Sequence, residues 1–301
     1  MATESPYTSN TLQLKKPDAD VFVPDEIQLV EALSRTTHLC IAAHQDDIEI
    51  MAYSGIAECF ASNEKWFSGV VVTNGKGSPR SGEYADYTDQ RMERLRRQEQ
   101  RKAAFVGNYS CQLQLAYSSS EVKDPNSTEV IDDLRSILLA TKPDIIYIHN
   151  PADKHPTHVA VTLRSIEAIR SVATQIRPSK IFGCEVWRDL DWLPDDSKAA
   201  LPTSSRPNLA ASLIGVFDSQ VTGGKRYDLA TAGRRVANAT YFASHQTDSE
   251  SGLTFAMDLT ELALSPGVAI NDFVLNLIDR FREDVDRRLS AFGSATSTRN
   301  A

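Results

Sequence analysis

The chain has 301 residues, 24% of them charged, and a formal net charge of −8. That length can bury one large core, while the acidity and the lack of any Lys/Arg stripe interleaved with aromatics exclude nucleic acid as an expected partner. The apolar runs are too short to span a bilayer.

Residues 1–35 read as an N-terminal extension packing on the core. Its first sixteen residues are rich in Ser, Thr and Asn without the basic-then-apolar pattern of a leader, so the expected location is cytoplasmic. Residues 38–43, His-Leu-Cys-Ile-Ala-Ala, have no polar alternation and predict a strand buried on both faces. From Ile48 to Phe60 apolar residues recur at helical spacing, and Trp66–Thr73 is a Val-rich strand closed by the turn signal Asn74-Gly75. The stretch 74–89 lacks periodicity and predicts a long functional loop.

Helices are expected over 91–106 and 129–141, a strand over Ile145–His149, and an amphipathic helix from Pro156 to about Ala173. A strand over 181–187 and a helix over 227–244 continue the alternation, which 193–207, dense in Asp, Pro and Ser, interrupts. The pattern predicts an α/β fold, a Rossmann-like three-layer arrangement with a mostly parallel sheet. It is read as one domain over 36–290 with a flexible tail at 291–301. Four cysteines without a C-x-x-C pair are expected to be reduced core thiols.

The chemistry concentrates at two points. Immediately after the first strand stands His44-Gln45-Asp46-Asp47-Ile48-Glu49, where an open α/β sheet places its ligand crevice. No Gly-rich turn follows that strand, which argues against a dinucleotide site. After the strand ending at His149 comes Asp153-Lys154-His155-Pro156-Thr157-His158, with two histidines one turn apart at a helix start. If the strands 38–43 and 145–149 are neighbours, both clusters meet at the carboxyl edge of the sheet. Imidazole and carboxylate donors suit Zn²⁺, and a catalytic zinc site takes three protein ligands.

Ala43-His44-Gln45-Asp46-Asp47-Ile48-Glu49 resembles the motif Ala-His-Pro-Asp-Asp-x-Glu of the LmbE-like, or PIG-L, zinc-dependent N-deacetylases, with Gln45 in place of proline. Asp153-x-His155-Pro156-Thr157-His158 resembles the same family's Asp-x-His-x-Asp-His, with Thr157 in place of the last Asp. Thr73-Asn74-Gly75 and Arg96-x-x-Glu99 are similar to its Thr-Asp-Gly turn and Arg-x-x-Glu helix, so the resemblance runs over roughly 36–250.

The resemblance implies that His44, Asp47 and His158 hold the metal, Zn²⁺ with Fe²⁺, Co²⁺ or Mn²⁺ as alternatives, and that Asp46 is the general base. It gives His155 the oxyanion and proton-donor role. In the family that histidine is oriented by the Asp replaced by Thr157, so either Asp153 takes over or the pKa of His155 is less elevated. Gln45 is expected to loosen the turn or supply a new hydrogen bond.

Glu49 is expected behind a ligand imidazole, as is Asp153, while His149 reads as a strand-end histidine bonded to main chain. Arg96, Asn74, Arg188 and His245 are candidate substrate contacts, although Arg96 and Glu99 would also serve as an ordinary helix-face pair. Tyr84, Tyr87, Trp187 and Trp192 are candidates for a sugar-stacking wall, against simple core packing.

The implied reaction is removal of an N-acetyl group from an N-acetylglucosamine-type sugar. Alternatives are an amidase on a thiol conjugate or other acylated small molecule, and a catalytically silent sugar-binding protein. A phosphoesterase would need more bridging carboxylates. Homo-oligomerisation stays open.

Overall fold

The computed structural model describes residues 12–293. The beginning of the expected N-terminal extension, 1–11, and the expected tail from residue 294 onward lie outside them. Eight strands, in chain order β1 (Asp20–Phe22), β2 (His38–Ala42), β3 (Phe67–Thr73), β4 (Cys111–Tyr117), β5 (Ile145–His149), β6 (Lys180–Cys184), β7 (Lys198–Pro202) and β8 (Leu253–Asp258), form one sheet. Its order is β1-β4-β3-β2-β5-β6-β8-β7. The central five strands pair in parallel, and β1, β7 and β8 join antiparallel.

Every residue of β2 and β3 is buried, as a strand with helices on both faces requires. Successive side chains serve opposite layers. Ile41, Val70, Leu113 and Ile148 pack with Leu134, Ile137, Ile166 and Ile169 of the helices Glu129–Thr141 and Pro156–Ile176. Cys40, Ala42, Val71 and Tyr147 pack on the other side with Ile48, Tyr53, Ile56 and Leu213. All four cysteines are free and buried.

The strands 38–43 and 145–149 are indeed neighbours, with Leu39 opposite Ile146. The chain leaves β2 toward β3 and β4 on one side and returns through β5 and β6 on the other. The switch point therefore falls between β2 and β5, and the crevice opens where their carboxyl ends diverge.

Several elements escaped the sequence pattern. β4 reads Cys-Gln-Leu-Gln-Leu-Ala-Tyr, an alternation suited to a half-exposed strand, yet Gln112 and Gln114 are buried. The helix Asp89–Val106 covers that face, and Gln114 Nε2 donates to the Arg97 carbonyl at 3.1 Å. The expected helix 48–60 is split into Asp47–Met51 and Tyr53–Cys59, and an unforeseen helix, Ile270–Phe292, takes in the first two residues of the expected tail. Among the described residues no helix is long and apolar enough to cross a membrane.

Candidate metal centre

β2 ends at Ala42, and the chain turns through His44–Asp46 into the helix Asp47–Met51. Asp46 carries the turn at φ 90°, a left-handed conformation that costs a non-glycine residue about 1–3 kcal/mol. Its N–H donates to Gln100 Oε1 at 3.3 Å and its carbonyl accepts from Ile50 N–H at 3.2 Å. This turn folds Asp47 back, so that its Oδ2 accepts from the His44 N–H at 2.8 Å.

From the other strand, His155 caps the helix Pro156–Ile176, with Pro156 in the first turn, where its lost N–H and fixed φ cost nothing. His158 lies one turn in and is fully buried. His44 Nδ1, Asp47 Oδ2 and His158 Nε2 stand at the corners of a triangle whose three edges are each 3.2 Å. Bonds of zinc length at a tetrahedral angle require an edge of about 3.3 Å, so the donor set fits a small divalent ion.

Asp153 Oδ2 faces His158 Nδ1 at 3.1 Å, fixing the tautomer that turns Nε2 toward the triangle. Burial would lower the pKa of His158, but Asp47 and Asp153 together outweigh it and push it up to about 9. Burial would likewise raise that of Asp47, yet His158, His44 and His149 hold it well below the carboxylate range.

A second cluster, His149 with Asp153 and His158, also has ligand-type atoms close together. His149 Nε2, however, already accepts the Ala43 N–H at 2.9 Å, which uses its lone pair. The ring stacks on His158 with centroids 3.9 Å apart, so it is the main-chain-bonded wall that its place at the strand end suggested.

Asp46 lies beside the triangle, 6% exposed. Burial raises its pKa and Arg96, 3.5 Å away, opposes that. Arg96 lines the cleft, as expected of a substrate contact, but it is also committed to main chain. Its guanidinium is buried and donates to the carbonyls of Gln45 (2.6 Å) and Gly75 and to Ser78 Oγ, bracing the Asp46 turn against the 74–78 loop. Gly75 itself sits at φ 70°, where a Cβ would lie 2.3 Å from Gln45 Oε1. Arg96 and Glu99 do not pair with each other, because Glu99 accepts from Ser219 N–H and Oγ–H.

Gln45 makes new hydrogen bonds in place of the proline's stiffness, donating through Nε2 to the Thr73 carbonyl at 3.2 Å and to Gln114 Oε1 at 3.3 Å. Asp153 does not replace the missing Asp at Thr157. Its oxygens accept from the His158 ring and from the N–H groups of His155, Trp187 and Arg188. His155 Nδ1 is left buried without a partner among the described residues. Burial, reinforced by His158 and His44, lowers the pKa of His155 to about 4.

Glu49 reaches no imidazole. It is buried among Gln100 (2.9 Å) and Tyr109 OH (2.8 Å), and burial lifts its pKa to about 8. Arg188 brings only its main-chain N–H, its side chain being exposed, and His245 is an exposed turn residue lining none of the cleft. Asn74 does line it.

The cleft over the triangle has a volume of about 330 Å³. Trp187 forms part of its wall, together with Gln220 and Lys225, which flank the turn signal Gly223-Gly224, and Tyr227, the first residue of the helix expected over 227–244. Tyr84 does not stack into the cleft. Its hydroxyl donates to Asp218 and its ring packs edge-on to Tyr87 at 5.1 Å, while Ser81 Oγ donates to the Gly223 carbonyl at 2.9 Å. The long loop is thereby pinned to the 218–224 segment. Trp192 packs on the core.

Both motifs and the strands that carry them fall within residues 39–169, which match a family model described as PIG-L, GlcNAc-PI de-N-acetylase. What this match shows is a likeness of that segment, somewhat under half of the chain, to the PIG-L family. Structural comparison shows the fold shared with a conserved protein of Thermus thermophilus (TM-score 0.58, 16% identity, 78% of this chain and 100% of that one). It is also shared with an N,N'-diacetylchitobiose deacetylase of Pyrococcus horikoshii (0.56, 18%, 77% and 88%). A third, the 4-carboxy-2-hydroxymuconate hydratase of Pseudomonas putida, has a TM-score of 0.54 at 17% identity, covering 74% of this chain and 95% of that one. A hydratase and a deacetylase on one fold mean that the fold does not choose the reaction, and the site must. No curated protein matches the chain by sequence.

Proposed function

We propose that this chain is a metal-dependent hydrolase that removes the N-acetyl group from an N-acetylglucosamine-type sugar. The observation that carries the reading is the 3.2 Å triangle of His44, Asp47 and His158 at the floor of a cleft, with Asp46 beside it. The description of the matched family model supports the amide and the sugar. His44, Asp47 and His158 would hold the ion, Zn²⁺ by donor type, with Fe²⁺, Co²⁺ and Mn²⁺ suiting the same donors. When bound, such an ion supplies Lewis-acid polarisation of a carbonyl and acidifies water.

Asp46 accepts a proton as the water oxygen bonds to the acetyl carbon, and the same proton passes to the departing nitrogen as the C–N bond breaks. Acetate and a free amine result. His155, with its depressed pKa, takes part as a neutral ring donating a hydrogen bond to the developing oxyanion, and Asp46 carries the proton instead. Arg96 keeps the Asp46 turn in place. Four free cysteines support placing the protein in the reducing cytoplasm.

Acetate and amine released from a panel of N-acetylated sugars test the reading. Metal-loaded protein is expected to release both in equal amounts, chelation to abolish release, and Zn²⁺ to restore it. No acetate from any sugar or other amide with fully loaded protein would overturn it.

A further inference from the structure

A second cavity of about 440 Å³ adjoins the cleft at Trp187. The two share Ile50, Val186, Trp187, Lys225 and Tyr227 as walls. Lys154, Lys225, Arg234 and Arg235 line this second chamber. Among the described residues none of the four pairs with a carboxylate. Arg234 donates to the Val186 carbonyl, and Arg235 to the carbonyls of Glu49 (2.8 Å) and Ile50 (3.1 Å).

The remaining lining arginine, Arg226, is exposed and pairs with Asp228. The one carboxyl in the lining, Glu185, is engaged. It accepts from Asn238 Nδ2 and from the N–H groups of Phe255 (2.9 Å) and Leu190 (3.1 Å), and burial raises its pKa against the nearby charge of Arg234.

Arg235 is 8% exposed and its Nε is buried without a partner. With no carboxylate in direct contact, only the more distant charge of Glu185 and the Tyr53 ring 4.8 Å away offset the cost of holding this guanidinium out of water. Chance composition does not explain the arrangement, since the chain has 40 acidic residues to 32 basic ones, yet acids are scarce here. Between the cations, Trp187, Tyr227 and Ala230 offer apolar surface.

We propose that this chamber is a subsite for the anionic end of the substrate, a carboxylate or phosphate borne on an apolar linker beyond the sugar. Lysine and arginine form charge-assisted hydrogen bonds to either group, and the apolar walls take the linker. Three of the four cations lie outside the segment 39–169, so the preference belongs to this chain's own C-terminal part. Assigning the anion to the substrate rests on the hydrolase reading above, whereas the anion affinity does not.

Calorimetric titration of phenyl phosphate, benzoate and phenol into the metal-loaded chain separates the two. One or both anions are expected to bind and phenol is not, and the tighter anion names the group. In a Lys154→Gln/Arg234→Gln double variant that keeps its metal, affinity is expected to fall at least about tenfold, with Arg234→Lys restoring it. Because Lys154 is exposed, Lys154→Gln alone provides a variant that folds, expected to weaken binding about threefold.

Neither anion binding, or undiminished binding in the double variant, would overturn the subsite. In kinetics, a 4-carboxyphenyl N-acetylglucosaminide is expected to have a KM at least about tenfold below that of its phenyl counterpart, the gap closing in the double variant. Equal KM values with the unaltered protein would remove the substrate role. Anion binding without turnover of any amide would sink the hydrolase reading and leave the anion site standing.

Discussion

Two parts of the chain face the cleft and are built differently. In residues 39–169, His44, Asp46, Asp47, Asp153 and His158 are held by short polar contacts among themselves and to main chain, with Asp46 strained to φ 90° to reach its place. In residues 185–235, Trp187 and Tyr227 are partly exposed, and Lys225 is exposed, its ammonium lying over the Trp187 ring 5.1 Å from its centre. Reacting groups must be preorganised to fractions of an ångström, and that takes buried, mutually bonded neighbours. Groups that sort substrates need only line the entrance. Asp153 ties the two together, orienting His158 with one oxygen while accepting the N–H of Trp187 and Arg188.

Substitutions in the two parts should therefore separate turnover and metal affinity from substrate affinity. Asp46→Asn is the severest case. Asn tolerates positive φ, so the turn is kept, while loss of the base should lower kcat about 10²- to 10⁴-fold. Acetate release at saturating sugar, with metal content measured in parallel, checks it, and a metal-loaded variant with unchanged kcat would end the general-base assignment.

Asp153→Asn should weaken the ion by about 10- to 100-fold through the freed His158 ring. Competition against a chelator of known affinity reads this directly, and unaltered affinity would show that the Asp153–His158 contact does nothing for the metal. Trp187→Ala, on the other side, should leave metal affinity as it is and raise KM about 5- to 30-fold, equivalent to 1–2 kcal/mol. A fall in kcat with KM constant would mean that the C-terminal wall shares in the chemistry.

The smallest effect is expected far from the cleft, in the helix Ser119–Lys123, where Glu121 closes a capping box with Ser118 and pairs with Lys16 at 2.6 Å. The hydrogen bond from Lys16 leads the effects that lower the pKa of Glu121 to about 2. Its folded-state pKa lies below the unfolded one, so its stabilisation is complete above the ordinary glutamate range and is lost as pH falls toward 2. Glu121→Gln should cost less than about 1 kcal/mol at neutral pH, with the difference in chemical-denaturation midpoints closing in acid and turnover unaffected. A constant difference from pH 7 to pH 2 would exclude the carboxylate as its source.

The legible features were the local ones. Unalternating apolar runs marked β2, β3 and β5, and the His-x-Asp-Asp and His-Pro-Thr-His clusters stood at the strand ends where a crevice forms. β4 was hidden because its glutamines are satisfied by residues distant in sequence, Gln114 bonding Arg97 and Asp20. Glu49 and Arg96 sat in the right motifs with unforeseen partners, since a side chain's direction from a helix does not reveal what packs against that helix. Arg188 was a candidate by its place after a strand and His245 by its resemblance to a family histidine near that point, and both residues are exposed. Gln220 and Lys225 had no periodic signal because they flank a Gly-Gly turn held by the 78–84 loop, and Tyr227 opens an expected helix whose docking against the cleft no local pattern shows.

By itself the sequence determined which strands are buried on both faces and which residue types gather at their ends, because strand burial and ligand chemistry are written in neighbouring positions. Only the tertiary structure decided that the donors of His44, Asp47 and His158 meet in a triangle of 3.2 Å edges, that His149 is spent on the Ala43 N–H, and that five cations, four of them without a carboxylate partner among the described residues, share one chamber. Those outcomes depend on the pairing of β2 with β5 and on where the C-terminal helices dock, contacts between residues about a hundred or more positions apart that no local pattern encodes.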